Sequence, residues 1–340
     1  MRILVTGGAG YVGGTSAQRL IEAGHDVTIL DSLERGFRAA VPTGARLVVG
    51  NISDLMLVER TLREDGVEAI LHCAGLARVG ESVDEPQRYY AANVVSGLAL
   101  LDAMRSVGVR RIVFSSSAAV YGEPDRIPID EGHPQRPVNP YGETKRVFEG
   151  SLGWYAQAYD LSALSLRYFN VAGATGELGE DHRPETHLIP NALAAVAGGP
   201  PFRIFGTDYP TPDGTCIRDF VHVDDLALAH AAALALSAEI KAKHVACNLG
   251  SGTGFSVREV LAAAESVVGR PIPHSVGGRR AGDPPVLVAS NDRARELLGW
   301  EPVHGSLAEM IGSAWRWRVD HPHGYGRAAE PPSAPAAGEG

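Results

Sequence analysis

Arg2-Ile-Leu-Val-Thr-Gly-Gly-Ala-Gly-Tyr-Val-Gly13 is the stretch from which the fold can be read. Residues 2–6 form a short apolar run, as in a parallel strand buried on both faces. Gly7, Gly10 and Gly13 follow at even spacing, and residues 12–23 then take up a helical period. A strand, a glycine-rich turn and a helix N-terminus together make an anion site. Unpaired N–H groups and the helix dipole face the ligand, and glycine lets a pyrophosphate approach the backbone closely. A glycine pattern alone marks no more than a tight turn; the strand before it and the helix after it make it a dinucleotide signal.

Outward from this turn, strands alternate with helices. Residues 27–30 form the second strand and Asp31 ends it. An acid there accepts hydrogen bonds from ribose hydroxyls and repels a 2′-phosphate, which points to NAD over NADP. Arg35 and Arg38 nearby weigh the other way, and Asp31 could equally cap a turn. Further strands are expected at 46–49, 69–72, 111–114 and 163–166, with helices at 54–64, 86–107 and 141–159. This alternation gives an α/β fold, a Rossmann-type doubly wound parallel sheet with right-handed connections. Cys73-Ala74-Gly75 after the fourth strand is small enough for a cofactor to lie against the sheet edge. Ser115-Ser116-Ser117 ends the fifth strand, where such sheets bind ligands, although a serine-rich turn would read the same. From Val171 glycine, proline and histidine increase, so residues 171–325 read as a smaller substrate-binding lobe. Residues 1–170 are the NAD-binding domain, with a return near 220–250, and residues 326–340 read as a disordered tail.

Asn139-Pro-Tyr-Gly-Glu-Thr-Lys145 carries the candidate chemistry. Tyr141 and Lys145 share one helix face at i, i+4. A phenol ionises near pH ~10, and a neighbouring ammonium or a cationic cofactor favours its phenolate. Two surface residues can have this spacing by chance. However, the chain has only three lysines, Lys145, Lys241 and Lys243, which makes a chance Tyr-x-x-x-Lys less expected.

Composition sets the limits. The chain has 340 residues, 44% hydrophobic and 21% charged, with a net charge of −9. No basic run favours nucleic acid, and no apolar run reaches membrane-spanning length. Cys73, Cys216 and Cys247 are scattered and odd in number, and no signal peptide is evident, which suits a reducing cytoplasm. No Cys/His cluster has metal-ligand spacing, so no metal is expected.

Together the motifs resemble the extended short-chain dehydrogenase/reductase superfamily, and within it the UDP-glucose 4-epimerases. The resemblance runs from about Met1 to Tyr325. It rests on the glycine turn, His72-Cys-Ala-Gly75, Val79-Gly-Glu-Ser82, Phe114-Ser-Ser-Ser117, Val120-Tyr-Gly122, Tyr141-Gly-Glu-Thr-Lys145 and Leu166-Arg-Tyr-Phe-Asn170. Ile204-Phe-Gly-Thr-Asp-Tyr-Pro210, the run 213–223 and the Arg279–Asp283 loop are more specific to sugar-nucleotide epimerases. The resemblance implies Tyr141 as base, Lys145 on the nicotinamide ribose and Ser117 between Tyr141 and sugar. It implies NAD held by Gly7, Gly10, Tyr11, Val12, Gly13, Asp31, Ser32, Asn51, Ile52, Cys73, Ala74, Gly75, Ser115 and Tyr168 besides. It implies a UDP-hexose held by Asn170, His187, Leu188, Arg218, Arg280 and Asp283, with Phe205 and Phe220 near the base. A homodimer joined by the long helix around Asn93–Met104 and the Tyr141 helix is also implied.

Three positions depart from the family pattern. Asn51 replaces a frequent Asp beside adenine. Ala77 replaces a lysine near the cofactor phosphates, with Arg78 adjacent. Leu287 stands where a large or a small residue decides whether N-acetylated sugars enter. The implied reaction is C4 epimerisation: oxidation to a 4-keto sugar, rotation, and reduction on the other face. C4–H has no neighbouring carbonyl, so direct deprotonation at carbon is not open to it. The alternative is an epimerase of UDP-N-acetylhexosamines, or one with dual specificity. A 4,6-dehydratase needs an acid pair where Ala118-Ala119 stands. A silent NAD-sensing protein would not need Ser117, Tyr141 and Lys145 together.

Overall fold

The computed structural model describes residues 1–280 and 283–326. The expected tail at 326–340 therefore lies, beyond Gly326, outside the described residues, as do Ala281 and Gly282. Strand β1 (Arg2–Thr6) is buried on both faces, and its side chains divide with period two. Ile3 and Val5 enter one core, Leu4 the other. After helix α1 (Tyr11–Glu22), β2 (Asp26–Asp31) and β3 (Arg46–Val49) build outward on one side of β1. After α2 (Leu55–Glu64) the chain crosses back, and β4 (Ala69–His72) pairs with the other edge of β1. β5 (Arg111–Ser117), β6 (Ser162–Tyr168) and β10 (His244–Leu249) complete a seven-stranded parallel sheet, in the order β3-β2-β1-β4-β5-β6-β10. The order reverses between β1 and β4. In open parallel sheets the loops at such a switch diverge and leave a crevice at the strands' C-terminal ends.

Helices cover both faces. α1 and α8 (Val223–Leu236) pack on one, around Leu20, Leu226, Ala229 and Ala233. α2, α5 (Ser96–Val107) and α6 (Pro140–Tyr159) pack on the other, around Leu62, Leu100, Met104, Phe148 and Leu152. A third core lies among α7 (Leu188–Val196), α9 (Val257–Val268) and α11 (Leu307–Asp320). It carries short strand pairs: β7 (Asn170–Ala172) with β9 (Ile217–His222), β11 (Gly254–Ser256) and β13 (Val286–Leu287) with β9, and β8 (Phe202–Phe205) with β12 (His274–Gly277). The expected return near 220–250 begins in this second assembly, since β9 pairs with β7; α8 and β10 then rejoin the main sheet. Short helix α10 (Asp292–Leu298) lies between β13 and α11.

The single helix expected over 86–107 is instead composite. It starts as α4 (Pro86–Tyr89), widens to i→i+5 spacing over Tyr90–Val95, and continues as α5. Another short helix, α3 (Val79–Asp84), precedes it and stops where Pro86 cannot continue the hydrogen bonding. Asn93 lies within the wide turn, and its buried amide faces inward. Its Oδ1 accepts from Leu76 N at 2.8 Å, and its Nδ2 donates to Leu76 O and Thr144 Oγ1, both at 3.0 Å. This ties the loop after β4 to α6. Gly97 is the close-approach point of α5 and α6: a Cβ there would sit 2.6 Å from Phe148 Cε2.

Candidate active site

One cleft of ≈ 1490 Å³ runs over the C-terminal ends of the main sheet and under the second assembly. Its first arm is the glycine turn. Gly7 has φ 73°, in the left-handed region, and a Cβ there would meet Ala74 N at 2.6 Å. A Cβ on Gly13 would meet Gly7 O at 2.3 Å, so α1 can pack on the turn only with glycine present. Gly10 caps α1 in extended conformation with no side-chain acceptor. The N–H groups of Tyr11, Val12 and Gly13, all lining the cleft, form the first turn, whose donors have no intrahelical partner. These free donors, with a cradle that side chains would fill, fit a pyrophosphate.

Asp31, at the end of β2, is buried and lines the same arm beside Ser32. Its Oδ2 accepts from Ala9 N at 3.0 Å and its Oδ1 from Leu33 N at 2.8 Å. Burial raises its pKa, and these two N–H donors oppose the rise. Carboxylate oxygens keep lone pairs for ribose hydroxyls, and a 2′-phosphate would meet a like charge. Arg35 is turned to Glu81, with Nη2–Oε1 2.6 Å, away from the role of a 2′-phosphate partner. Asn51 accepts from Ser53 N at 2.9 Å and lines the cleft with the buried Ile52. Ala77 and Arg78 line it too; Arg78 Nη2 donates to Arg183 O.

At the centre, α6 begins at Pro140 with Asn139 as its cap; Asn139 Oδ1 accepts from Gly142 N at 2.8 Å. This fixes Tyr141 in the first turn. Tyr141 and Ser117, at the end of β5, line the same stretch of the cleft. Burial raises the phenol's pKa, and the Ser117 hydroxyl opposes the rise. Lys145 Nζ donates to Ser115 O at 2.7 Å and lies 5.8 Å from the Tyr141 ring centroid. Burial lowers its pKa to about 8, with Cys73 and Glu149 pulling it up. In the protein by itself desolvation is the largest influence at both groups. Cys73, Ala74 and Gly75 form the floor here, with Ser115 Oγ donating to Cys73 Sγ at 3.0 Å. Tyr168, at the end of β6, packs edge-on to His230.

The second arm comes from the other assembly. Arg218 on β9 pairs with Asp283 through Nη2 and Oδ1. The Arg280 guanidinium sits 3.9 Å over the Phe205 ring. Asn170 is in register with Phe220, and Leu287 with Arg218. Leu287 packs against the cluster of Ala118, Tyr121 and Phe169, next to Ser117. His187 caps α7, which Leu188 opens. All 26 residues expected at the site line this one cleft.

One cluster lies beyond the residues expected from sequence. Glu180, His182 and Glu185 surround His187, and their ligating atoms all lie within 4.8 Å of one another. The spacing Glu-x-His-x-x-Glu-x-His is its signal in the sequence, outside any Cys/His pattern. Glu180 Oε1 lies 3.0 Å from His182 Nδ1 and also contacts His187 Nδ1. Burial opposes the charge on each partner but attraction prevails: Glu180 falls to about 2 and His187 rises to about 9.

The NAD dependent epimerase/dehydratase family matches residues 3–250. UDP-glucose 4-epimerase of Corynebacterium glutamicum is 51% identical over 316 residues, covering 93% of this chain and 95% of the relative. That of Streptomyces lividans is 48% identical over 326 residues, covering 95% and 98%. The crystal structure of UDP-glucose 4-epimerase from Brucella ovis in complex with NAD is 44% identical with TM-score 0.90, covering 93% of this chain and 97% of that one. A family model over residues 3–250 and relatives near half identical along almost the whole chain agree, and the chain belongs to the NAD dependent epimerase/dehydratase family.

Proposed function

We propose a division of labour in the cleft for the C4 epimerisation of UDP-galactose and UDP-glucose. The chain is an NAD-dependent isomerase, and its relatives along nearly the whole length are UDP-glucose 4-epimerases. The observation that carries the assignment of roles is Tyr141 at the junction of the two arms, lining one cleft with Ser117 and with Lys145 Nζ 5.8 Å from its ring centroid. Bound NAD supplies the hydride acceptor and donor for C4 and a positive charge near the phenol. Tyr141 takes the proton from O4 as C4 is oxidised, and returns one after the sugar has turned. Ser117 holds O4 and Tyr141 in line. Lys145, anchored on Ser115 O, orients the nicotinamide ribose. Asp31 holds the adenosine ribose, and the first turn of α1 holds the pyrophosphate.

Arg218, Arg280, Asn170 and the cationic His187 grip the UDP diphosphate, and Phe205 and Phe220 border the uracil. A forked guanidinium matches two phosphate oxygens at once, so the diphosphate stays fixed while the 4-keto sugar exposes its other face. Arg78 serves in place of the lysine absent at Ala77. Leu287 forms the sugar wall and sets the tolerance for an acetamido group.

We also assign the protein to the cytoplasm and to a homodimer. Three free thiols suit a reducing compartment, and among the described residues no helix is long and apolar enough to cross a membrane. Val95, at 62% exposure, and Trp154, at 73%, lie on the two helical segments named for the dimer. Leu101, on the same segment, is core instead, at 1%.

The test is incubation of the purified protein, without added NAD, with UDP-galactose and separately with UDP-GalNAc, followed by chromatography of the C4 epimers. Conversion of UDP-galactose is expected. Conversion of both would add the acetamido sugars to its range. Conversion of UDP-GalNAc alone would overturn the substrate assignment.

A further inference from the structure

α6 carries Tyr141, Lys145 and Glu149 at four-residue intervals, so all three point along one face toward the sheet. The reaction read above uses the first two. Glu149 is 3% exposed and holds a dense polar network near the site. Its Oε1 accepts from Ser116 Oγ at 2.5 Å and from Arg167 Nε at 3.0 Å. Its Oε2 accepts from Arg167 Nη2 at 2.5 Å. Ser116 directly precedes Ser117 on β5, and Arg167 directly precedes Tyr168 on β6. Arg167 Nη1 donates onward to Tyr121 Oη at 2.8 Å, which donates to Asn248 Oδ1 on β10 at 2.7 Å. One carboxylate therefore links the catalytic helix to three adjacent strands at the ends that carry the site.

Taking an ion pair out of water is costly, and apolar side chains of similar volume would often hold such a core as well or better. What apolar packing does not give is direction. A bidentate guanidinium–carboxylate contact, closed by a hydroxyl from a third element, fixes rotation and translation together. A helix that slides or rotates slightly at Glu149 moves Tyr141 off Ser117.

We propose that Glu149, through Arg167 and Ser116, is a positioning residue for the epimerisation: it sets the register of α6 against β5 so that Tyr141 meets Ser117 and Lys145 meets Ser115 O. The inference rests on the reading of Tyr141, Lys145 and Ser117 given above. Glu149 also contributes through charge. The titratable and charged groups facing Lys145 are His72 at the end of β4, Cys73 just after it, and Tyr141 and Glu149 from its own helix; Glu149 and Cys73 favour its ammonium. Without the Glu149 charge the ammonium is lost at lower pH.

The experiment compares wild type with Glu149→Gln, which keeps the shape and removes the charge. Measured are bound NAD, near-UV circular dichroism, and kcat and KM for UDP-galactose across pH. The expected result is a kcat lower by on the order of 10²-fold, the scale of a small misplacement of reacting groups. KM and bound NAD should stay near wild type, and the alkaline limb of the kcat profile should move to lower pH. Wild-type kcat with an unmoved alkaline limb would overturn the proposal. So would a loss of kcat matched by loss of NAD and of near-UV signal, since that is a structural role only. If Glu149→Gln does not fold, Ser116→Ala, which leaves the ion pair intact, must lower kcat several-fold at unchanged melting temperature; unchanged kcat would then overturn it. A wild type that converts no UDP-galactose would contradict the reading of the site, whereas an active wild type matched by its variants contradicts only the positioning role.

Discussion

Tyr141 begins from an unfavourable position as a base, because burial raises its phenol's pKa and Lys145 is itself pushed down to about 8. Its chemistry follows from place, at the junction of both arms and beside Ser117 in the cleft. Tyr141→Phe should keep bound NAD and lower kcat on UDP-galactose by roughly 10²–10⁴-fold, the usual contribution of a positioned acid or base. Steady-state kinetics with NAD quantified after denaturation checks this. The Glu180–His187 pair gives a second prediction. His187 rises from 6.5 to about 9, so its contribution to stability is complete below pH 6.5 and lost as pH climbs through about 9. Glu180 falls from 4.5 to about 2, so its contribution holds above pH 4.5 and is lost as pH drops through about 2. Glu180→Gln should therefore lower the melting temperature by a few degrees between pH 4.5 and 6.5, with the gap closing above about pH 9. At this scale the placement of Tyr141 and Lys145 on one helix and of Asp31 at a strand end could be read from sequence, from their spacing and from the apolar run before Asp31. Asn93 and Glu149 could not: their work consists of bonds to residues distant in the chain, such as Leu76 and Arg167.

The elements that bring these residues together depend on close backbone contact. α1 reaches the turn because Gly13 has no side chain, and α6 passes the loop after β5 because Gly142 has none; a Cβ there would meet Ala119 O at 2.4 Å. Gly13→Ala should abolish copurifying NAD and destabilise the protein by about 1–3 kcal/mol through overpacking. Absorbance of released cofactor and denaturant melts check both effects. The central parallel strands were plain in sequence because both their faces are buried, leaving short apolar runs such as Ile3-Leu4-Val5. The composite helix was not, because a wide turn leaves helical periodicity nearly unchanged and Asn93 gives no local sign of its partners. α9 was overlooked although Ser256 and Glu259 spell a capping box, which the structure forms with Ser256 Oγ accepting from Glu259 N at 3.1 Å and Glu259 Oε2 accepting from Ser256 N at 2.7 Å.

For the whole molecule, the crevice follows from strand order: β1 sends the chain outward on one side and β4 brings it back on the other. The second assembly, with its own core, then roofs the crevice and supplies the cations on β9 and the Arg279–Asp283 loop. Its architecture was hard to read because its strands are short and pair across long separations, as β13 does with β9. The proposed dimer is testable at this scale. Light scattering should give twice the mass of one chain for wild type, and Trp154→Glu should shift it toward one. The most direct test of the central claim, oxidation and return of hydride at C4 within one site, uses UDP-galactose deuterated at C4. The protein, with no NAD added, should yield UDP-glucose that keeps the deuterium on C4. Loss of the label to solvent, or no conversion even with NAD supplied, would contradict the account.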